Sequence, residues 1–136
     1  MTSVIIIGHG GYGTALKRTL NMILGDLKEY RFIDFNEQDD LTVLKTRITD
    51  AVMSVGGNDV LFCCDLAGGT PFREASAICT RHPGFFCVVG INIAAYIEVS
   101  FHLELSAEAL ADVAVKTAKS SVISFPALSD QISFPT

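Results

Sequence analysis

Residues 60–76, VLFCCDLAGGTPFREAS, contain the clearest structural pattern of this chain. A continuous apolar run ends in Asp65, a glycine-rich turn follows, and Thr70-Pro71 stands where a helix would begin. An unbroken apolar run is typical of a strand covered on both faces. Thr is a favourable N-cap and Pro a favourable first helical residue. The stretch therefore predicts a buried strand that is followed by a turn and a helix.

The same alternation of strand and helix continues in both directions from this stretch. Besides Asp59 to Cys64, apolar runs predict strands at Ser3 to Ile7, Tyr30 to Phe35 and Phe85 to Val89, and a short fifth strand at Val122 to Phe125. Helical spacing predicts helices with inward faces formed by Leu16, Leu20, Ile23, Leu24 and Leu27, by Leu41, Leu44, Ile48, Ala51 and Val55, and by Phe72, Ala75 and Cys79. Asp39 or Asp40 would cap the second of these helices, and two more are predicted near Ala94 to Leu103 and from Ser106 to about Ser120.

This order of elements predicts the architecture. Strand–helix alternation implies parallel pairing, right-handed crossovers and helices on both faces of the sheet. We therefore expect one doubly wound α/β domain over residues 1–126, with a mostly parallel sheet of four strands plus the short fifth strand. Residues 127–136 are expected to form a C-terminal tail.

Composition narrows the class of protein. The chain has 136 residues, of which 49% are hydrophobic, so global disorder is excluded, and no apolar run approaches the roughly 20 residues that span a bilayer. The net charge is −5 and the basic residues are scattered, which excludes nucleic acid as an expected partner. The four cysteines lack metal-ligand spacing, and Cys63 and Cys64 would point to opposite faces of a strand. A cytoplasmic protein without a metal is expected.

Two loops should contain the chemistry, because ligands of open α/β sheets bind beyond the carboxyl ends of the strands. They are GHGGYG at residues 8–13 and DLAGGTP at residues 65–71. If strands one and three are neighbours, about 4.8 Å apart, His9 and Asp65 come within side-chain reach. A carboxylate that binds one imidazole nitrogen leaves the other free as a nucleophile. Free N–H groups at the start of helix three would form an anion site around Gly68 and Gly69.

The first loop also supports an alternative of another class. Gly8, Gly10 and Gly13 match the G-x-G-x-x-G pattern of dinucleotide-binding turns, and Asp34 stands near the end of strand two, where such folds place an acid. Against this, His9 occupies the tight turn, and a chain of this length leaves little room for a second substrate. A dinucleotide-binding module is kept as the alternative hypothesis.

At these residues the sequence resembles the IIA component of the mannose (mannose-fructose-sorbose) family of the bacterial phosphotransferase system. The resemblance rests on VIIIGHGGYGTAL at 4–16, NMILG at 21–25, the 60–76 stretch and VVGINIAAYIE at 88–98. It covers essentially residues 1–125, and D-x-x-G-G-[ST]-P-F paired with H-G is its most specific feature. The related phosphotransferase subunit of dihydroxyacetone kinase fits less well, because its second loop lacks the G-G-[ST]-P-F run.

The resemblance implies a phosphotransferase with a phosphohistidine intermediate and no cofactor. His9 would accept phosphate from the histidine phosphocarrier protein and pass it to a IIB component, which serves a membrane IIC/IID permease. Asp65 would bind the histidine, and the phosphoryl oxygens would be held by Gly10, Gly68, Gly69 and Thr70. The family is dimeric and exchanges its last strand, so Val122 to Phe125 is expected to pair with a second chain.

Some positions are left open by the resemblance. Many family members have Ser or Thr before the histidine, whereas this chain has Gly8, so no side-chain contact is expected there. Arg73 could approach a phosphoryl group or a partner's acid, although an exposed helix residue is the simpler interpretation. His82 and His102 are expected on the surface. The sugar, and whether transfer is metabolic or regulatory, cannot be read from this component.

Overall fold

Four parallel strands form the central sheet of the computed structural model, which describes residues 1–126. Their order across the sheet is β2-β1-β3-β4, with bounds β1 Thr2–His9, β2 Tyr30–Phe35, β3 Asp59–Cys64 and β4 Phe85–Val89. The predicted four-stranded parallel sheet is therefore confirmed. β1 continues to His9, two residues further than predicted.

Helices cover both faces of the sheet, as predicted. Their bounds are α1 Tyr12–Leu24, α2 Leu41–Ser54, α3 Thr70–Cys79, α4 Ile93–Ser100 and α5 Ala107–Ser121. Alternate strand residues divide the core: Ile6 and Cys63 pack with α1, α4 and α5, whereas Ile5 and Cys64 pack with α2 and α3. Among the described residues, no helix combines the length and apolar character needed to cross a bilayer.

Two predicted inward residues lie instead on the surface. Ile23 is exposed because it stands at the margin of the buried stripe that Gly13, Leu16 and Leu20 form on α1. Leu41 is exposed because it is the first residue of α2, at the very end of that layer. Helix α1 also ends before Leu27, which nevertheless packs against the core from the following turn.

The fourth helix is shorter than the prediction of Ala94 to Leu103. It ends at Ser100 because the chain beyond it pairs with the start of β1. The N–H of Thr2 donates to the Leu103 carbonyl at 2.8 Å, and the Thr2 hydroxyl donates to the Leu105 carbonyl at 2.7 Å. These long-range bonds hold residues 101–105 as a turn, and Ser106 then caps α5 as predicted.

The chain beyond α5 forms no strand in this single molecule as far as residue 126. Val122 and Ile123, both in the predicted fifth strand, are 75% and 72% exposed. A strand exchanged between two chains needs the second chain, so that part of the expectation stays a prediction. The predicted tail at residues 127–136 lies outside the described residues.

Candidate active site

His9 and Asp65 meet at the carboxyl edge of the sheet. β1 and β3 are neighbours, with Ile7 paired to Cys64, so the two chains leave the sheet side by side. The His9 Nδ1 lies 2.8 Å from Asp65 Oδ2, and the backbone N–H of His9 donates to the same oxygen at 2.9 Å. The N–H of Leu66 donates to Oδ1 at 2.9 Å. The carboxylate is thus fixed by three contacts, and it fixes the imidazole in turn.

Electrostatics define which imidazole nitrogen can react. Partial burial raises the pKa of Asp65, but hydrogen bonds from the His9 amide and ring outweigh it, so the pKa lies below its ordinary value. An ionised carboxylate only accepts hydrogen bonds, so Nδ1 of a neutral His9 carries the proton and Nε2 carries the lone pair. The His9 side chain is 44% exposed and that of Asp65 is 12% exposed. The arrangement can present a nucleophilic Nε2 to another molecule.

The start of α3 lies against the free side of the imidazole. A Cβ added at Gly69 would lie 2.9 Å from His9 Cε1 and 3.5 Å from Nε2, so only a glycine lets the ring approach the backbone this closely. Gly69, and not Thr70 as predicted, is the N-cap of α3, and Thr70 is its first helical residue, followed by Pro71. Within the described residues, the Thr70 side chain has no hydrogen-bond partner. The backbone N–H groups here, together with the positive end of the helix dipole, can receive an anion.

The four helices that begin at this edge differ in how their N-termini are capped. Asp40 accepts from the N–H of Val43 in α2, and Asn92 accepts from that of Ala95 in α4. α1 is capped by Asp34 of β2, which accepts from the N–H of Thr14. At α3, which begins beside His9, no side chain within residues 1–126 caps the helix. Among these four helices, the uncapped N-terminus is therefore the one nearest the imidazole.

The end of β2 supports the histidine loop from its other side. The N–H of Gly10 donates to the Phe35 carbonyl at 2.7 Å, and the Phe35 ring lies 6.0 Å from the imidazole. Asp34 accepts from the backbone N–H of Thr14 at 2.9 Å and from its hydroxyl at 2.5 Å. Sequence reasoning missed this capping role. Two features of the sequence could have indicated it. Asp34 stands near the end of β2, and α1 begins after Gly11, which has no side chain that could cap the helix.

The position before the histidine is occupied by an aromatic ring from the next helix. A Cβ at Gly8 would lie only 2.3 Å from Tyr12 Cδ1, so Gly8 and Tyr12 fill one space together. The Tyr12 hydroxyl lies 3.0 Å from that of Tyr96 on α4. The departure from Ser or Thr at this position thus has a packing reason, and Gly8 offers no side-chain contact to the site.

The structure places the remaining candidates away from the imidazole or on its margin. His82 is exposed beyond α3 and stacks on Phe85, with 4.6 Å between ring centroids. His102 lies in the turn after α4, where its Nε2 contacts Glu98 Oε1 at 2.9 Å; the expectation that it lies on a helix is wrong. Arg73 is exposed in the first turn of α3.

Comparison with known proteins identifies the same family along most of the chain. The family model EIIA-man, described as "PTS system fructose IIA component", matches residues 3–120. The fructose-specific EIIA component of Bacillus subtilis is 30% identical over 100 residues, which are 73% of this chain and 68% of that protein. The mannose-specific EIIAB component of Escherichia coli K12 is 31% identical over 100 residues, but these are only 31% of its length.

Solved structures share the fold at lower sequence identity. A phosphotransferase system component EIIA from Streptococcus agalactiae superposes with a TM-score of 0.85 at 21% identity, covering 93% of this chain and 98% of that one. The mannose/sorbose-specific IIA subunit from Enterococcus faecalis gives a TM-score of 0.84 at 23% identity, covering 99% and 97%. These likenesses establish the architecture of the sheet and its helices.

Proposed function

The chain belongs to the mannose-type EIIA family of the phosphotransferase system, and from this premise we propose that it carries a phosphoryl group on His9. As a IIA component it has a role in sugar phosphotransfer. In the proposed reaction it accepts the group from the histidine phosphocarrier protein and gives it to a IIB component. The observation that carries this assignment is the 2.8 Å contact between His9 Nδ1 and Asp65 Oδ2.

The proposed step forms one bond and breaks one. The Nε2 lone pair of neutral His9 attacks phosphorus in line with the leaving imidazole of the donor, whose N–P bond breaks and whose electron pair stays on that nitrogen. The Nδ1 proton remains on His9, and the positive charge that develops on the ring is stabilised by the Asp65 carboxylate. The reverse sequence of events transfers the group to the acceptor. Positioning and charge stabilisation supply most of the catalysis in such a loose transition state.

The phosphoryl oxygens would be received at the start of α3. The uncapped N-terminus, the close approach of Gly69 to the imidazole and the unpartnered Thr70 side chain support this placement. Gly68 has a φ of +80°, which turns the backbone around the site. Gly10 contributes the turn on the other side, with its N–H bonded to Phe35. Because the Gly10 N–H is engaged in this way, the N–H groups at the start of α3 are the backbone donors that would stabilise the charge.

The exposed position of His9 suits a carrier that meets two proteins. A phosphoryl donor and an acceptor must each bring a reacting atom to Nε2, and a side chain that is 44% exposed permits this. The acceptor would be linked to a membrane IIC/IID permease, so this chain would contact the permease only indirectly. We also propose that the protein acts in the cytoplasm, together with its donor and its acceptor.

We further propose a homodimer in which residues 122–125 pair with the partner's sheet. The apolar side chains of Val122 and Ile123 are exposed in the single chain, which supports an additional contact. Strand β4 is an edge strand of the described sheet and could receive another strand. Residues 1–126 would then form the domain, with one element contributed by the partner.

Labelled phosphoenolpyruvate and the upstream carriers test the site. The wild-type chain should acquire acid-labile, base-stable label, and a folded His9→Ala variant should acquire none. His82→Ala serves as the matched control, because His82 is also exposed but lies beyond α3, and it should be labelled normally. Normal labelling of His9→Ala would contradict the proposed site.

Addition of a IIB component distinguishes a metabolic carrier from a regulatory relative. Loss of the label from this chain with gain on IIB is expected for a carrier. Stable retention would instead indicate a protein that uses the phosphate as a signal.

The dinucleotide alternative gains no support, since both Asp34 carboxylate oxygens are engaged by Thr14.

A further inference from the structure

We propose that Arg73 is a further catalytic residue of the proposed phosphoryl-transfer site, where its guanidinium binds the phosphoryl oxygens while the group is on His9 Nε2. This inference rests on the proposed function and adds one residue to it. The starting observation is that Arg73 is exposed in the first turn of the helix whose uncapped start lies against the imidazole.

Helix geometry directs the Arg73 side chain toward the site. A Cβ at Gly69 would meet the imidazole, and Arg73 follows Gly69 by four residues, with its N–H bonded to the Gly69 carbonyl at 3.0 Å. Residues four apart share one face of a helix, about 6 Å apart along the axis. Side chains also lean toward the helix N-terminus. An extended arginine can therefore reach from its position in α3 to the space beside Nε2.

The guanidinium of Arg73 has no competing partner within residues 1–126. The side chain makes no hydrogen bond or ion pair there, whereas the neighbouring Glu74 is paired with Lys45 of α2 at 3.6 Å. Arg47, by contrast, is engaged by Asp39 and by the Asp34 carbonyl. Arg73 is thus an available cation at the α3 start.

Arginine suits the chemistry of this position. Its planar fork can donate two parallel hydrogen bonds to a phosphoryl group, and charge spreads over the equatorial oxygens during transfer. Arg73 would take no proton and form no covalent bond, so the balance of the transfer step is unchanged. Because the side chain is exposed, its attraction for the phosphoryl group should weaken as salt is added.

A phosphorus NMR titration tests this contact without any partner protein. His9 is phosphorylated chemically with phosphoramidate in the full chain, and its signal is identified by its absence in His9→Ala. The groups facing the phosphoryl are the imidazole, Asp65 and Arg73. In Arg73→Gln the phosphoryl group should titrate about 1 pH unit higher than in wild type, because a neighbouring cation favours its dianion. Arg73→Lys should give an intermediate value.

A control substitution removes the same charge at the other end of the same helix. Arg81 is exposed two residues beyond α3, and the phosphoryl group on His9 should titrate at the same pH in Arg81→Gln as in wild type. With the donor protein present, Arg73→Gln should also reduce the rate of His9 phosphorylation about 10-fold at low salt, and the difference should shrink at high salt.

The outcomes separate this inference from the proposed function. If the phosphoryl group titrates at the same pH in Arg73→Gln as in wild type, the contact between Arg73 and the phosphoryl group is overturned. If the KM for the donor is then also raised, Arg73 instead contacts the partner protein. Failure of wild type to accept phosphate from the donor would contradict the proposed function. The chemically phosphorylated chain would still decide the role of Arg73.

Discussion

At the residue scale, the site consists of one imidazole held between a carboxylate and a glycine. Asp65 receives the ring N–H and the backbone N–H of His9, so it controls both the tautomer and the position of the loop. Gly69 lets the Cε1–Nε2 edge of the ring approach the α3 backbone. Each of these two contacts can be removed separately by a substitution that adds or removes very few atoms.

Asp65→Asn is expected to preserve the fold and to slow phosphoryl transfer about 100-fold. The Asn side chain lacks the negative charge that stabilises a positive imidazole. Its NH₂ group can also face Nδ1, where the carboxylate of Asp65 offers a hydrogen-bond acceptor. Rapid-quench measurement of His9 labelling gives the rate, and circular dichroism verifies the fold. A rate equal to that of wild type would show that the carboxylate does not orient the nucleophile.

The same carboxylate should affect the pH dependence of stability. The pKa of Asp65 is lowered in the folded chain, so its contribution is present above the unfolded value of about 3.9 and is lost as pH falls through the folded value. The free energy of unfolding should therefore change less steeply with pH below about pH 4 in Asp65→Asn than in wild type. Urea titrations across that range measure the slope, and equal slopes would contradict this expectation.

Gly69→Ala is expected to reduce transfer about 10-fold in a folded protein, because the new methyl group must displace the imidazole that it would meet at 2.9 Å. Gly11→Ala is the matched control: a Cβ there meets nothing within 4 Å, and its φ of −88° suits alanine. The labelling rate of Gly11→Ala should stay near that of wild type. Equal rates for both variants would mean that the close approach to Gly69 is not needed.

At the element scale, side-chain caps distinguish the helices that begin around the site. α2 and α4 are capped by residues from their own N-termini, and α1 is capped by Asp34 from β2. Only α3, of these four, begins without a side-chain acceptor within the described residues. A free helix N-terminus binds anions favourably. Of these four N-termini, that of α3 is therefore the best place for the phosphoryl group.

Asp34→Ala should destabilise the chain by about 1 kcal/mol, the usual cost of a lost helix cap, and should also slow transfer. The additional effect on transfer is expected because Asp34 and the next residue, Phe35, hold the histidine loop from the β2 side. Asp40→Ala is the control, since it removes a cap of the same kind from α2. It should lower stability similarly in chemical denaturation and leave the labelling rate unchanged. Equal rates in both variants would restrict Asp34 to a structural role.

At the scale of the whole molecule, the two edges of the sheet differ in what lies beside them. On the β4 side, the last residue of α5, Ser121, accepts a hydrogen bond from Asn92 beyond β4, and the exposed apolar residues Val122 and Ile123 follow it. On the other side, β2 connects directly to the site through Asp34 and Phe35. Exchange of residues 122–125 between two chains would cover apolar surface and an open strand edge at once. The dimer would then present two copies of His9.

Ile123→Asp should weaken this dimer by about 10-fold or more, because a charge would be buried where an apolar side chain packs. Sedimentation velocity over a range of concentrations measures the dissociation constant. Met53→Asp introduces the same charge at an exposed residue at the end of α2 and should leave the dimer intact. A wild-type chain that sediments as a monomer at every concentration would contradict the exchange.

Local patterns were sufficient for most elements of this chain. β2, β3 and β4 begin and end at their predicted residues, because β-branched and aromatic runs between turn residues define a strand locally. Strand–helix alternation determined the parallel sheet, and the paired loops predicted that His9 and Asp65 would be close. Local patterns in the chain were therefore enough to predict the α/β architecture and the proximity of His9 to Asp65.

Tertiary contacts decided what local patterns could not. α4 ends early because Thr2, distant in sequence, bonds the chain beyond it, and α1 is capped by an acid from another strand. Gly69 meets the imidazole only after β1 and β3 pair. These contacts depend on which distant segments become neighbours, so the short-range periodicity of the sequence does not contain them.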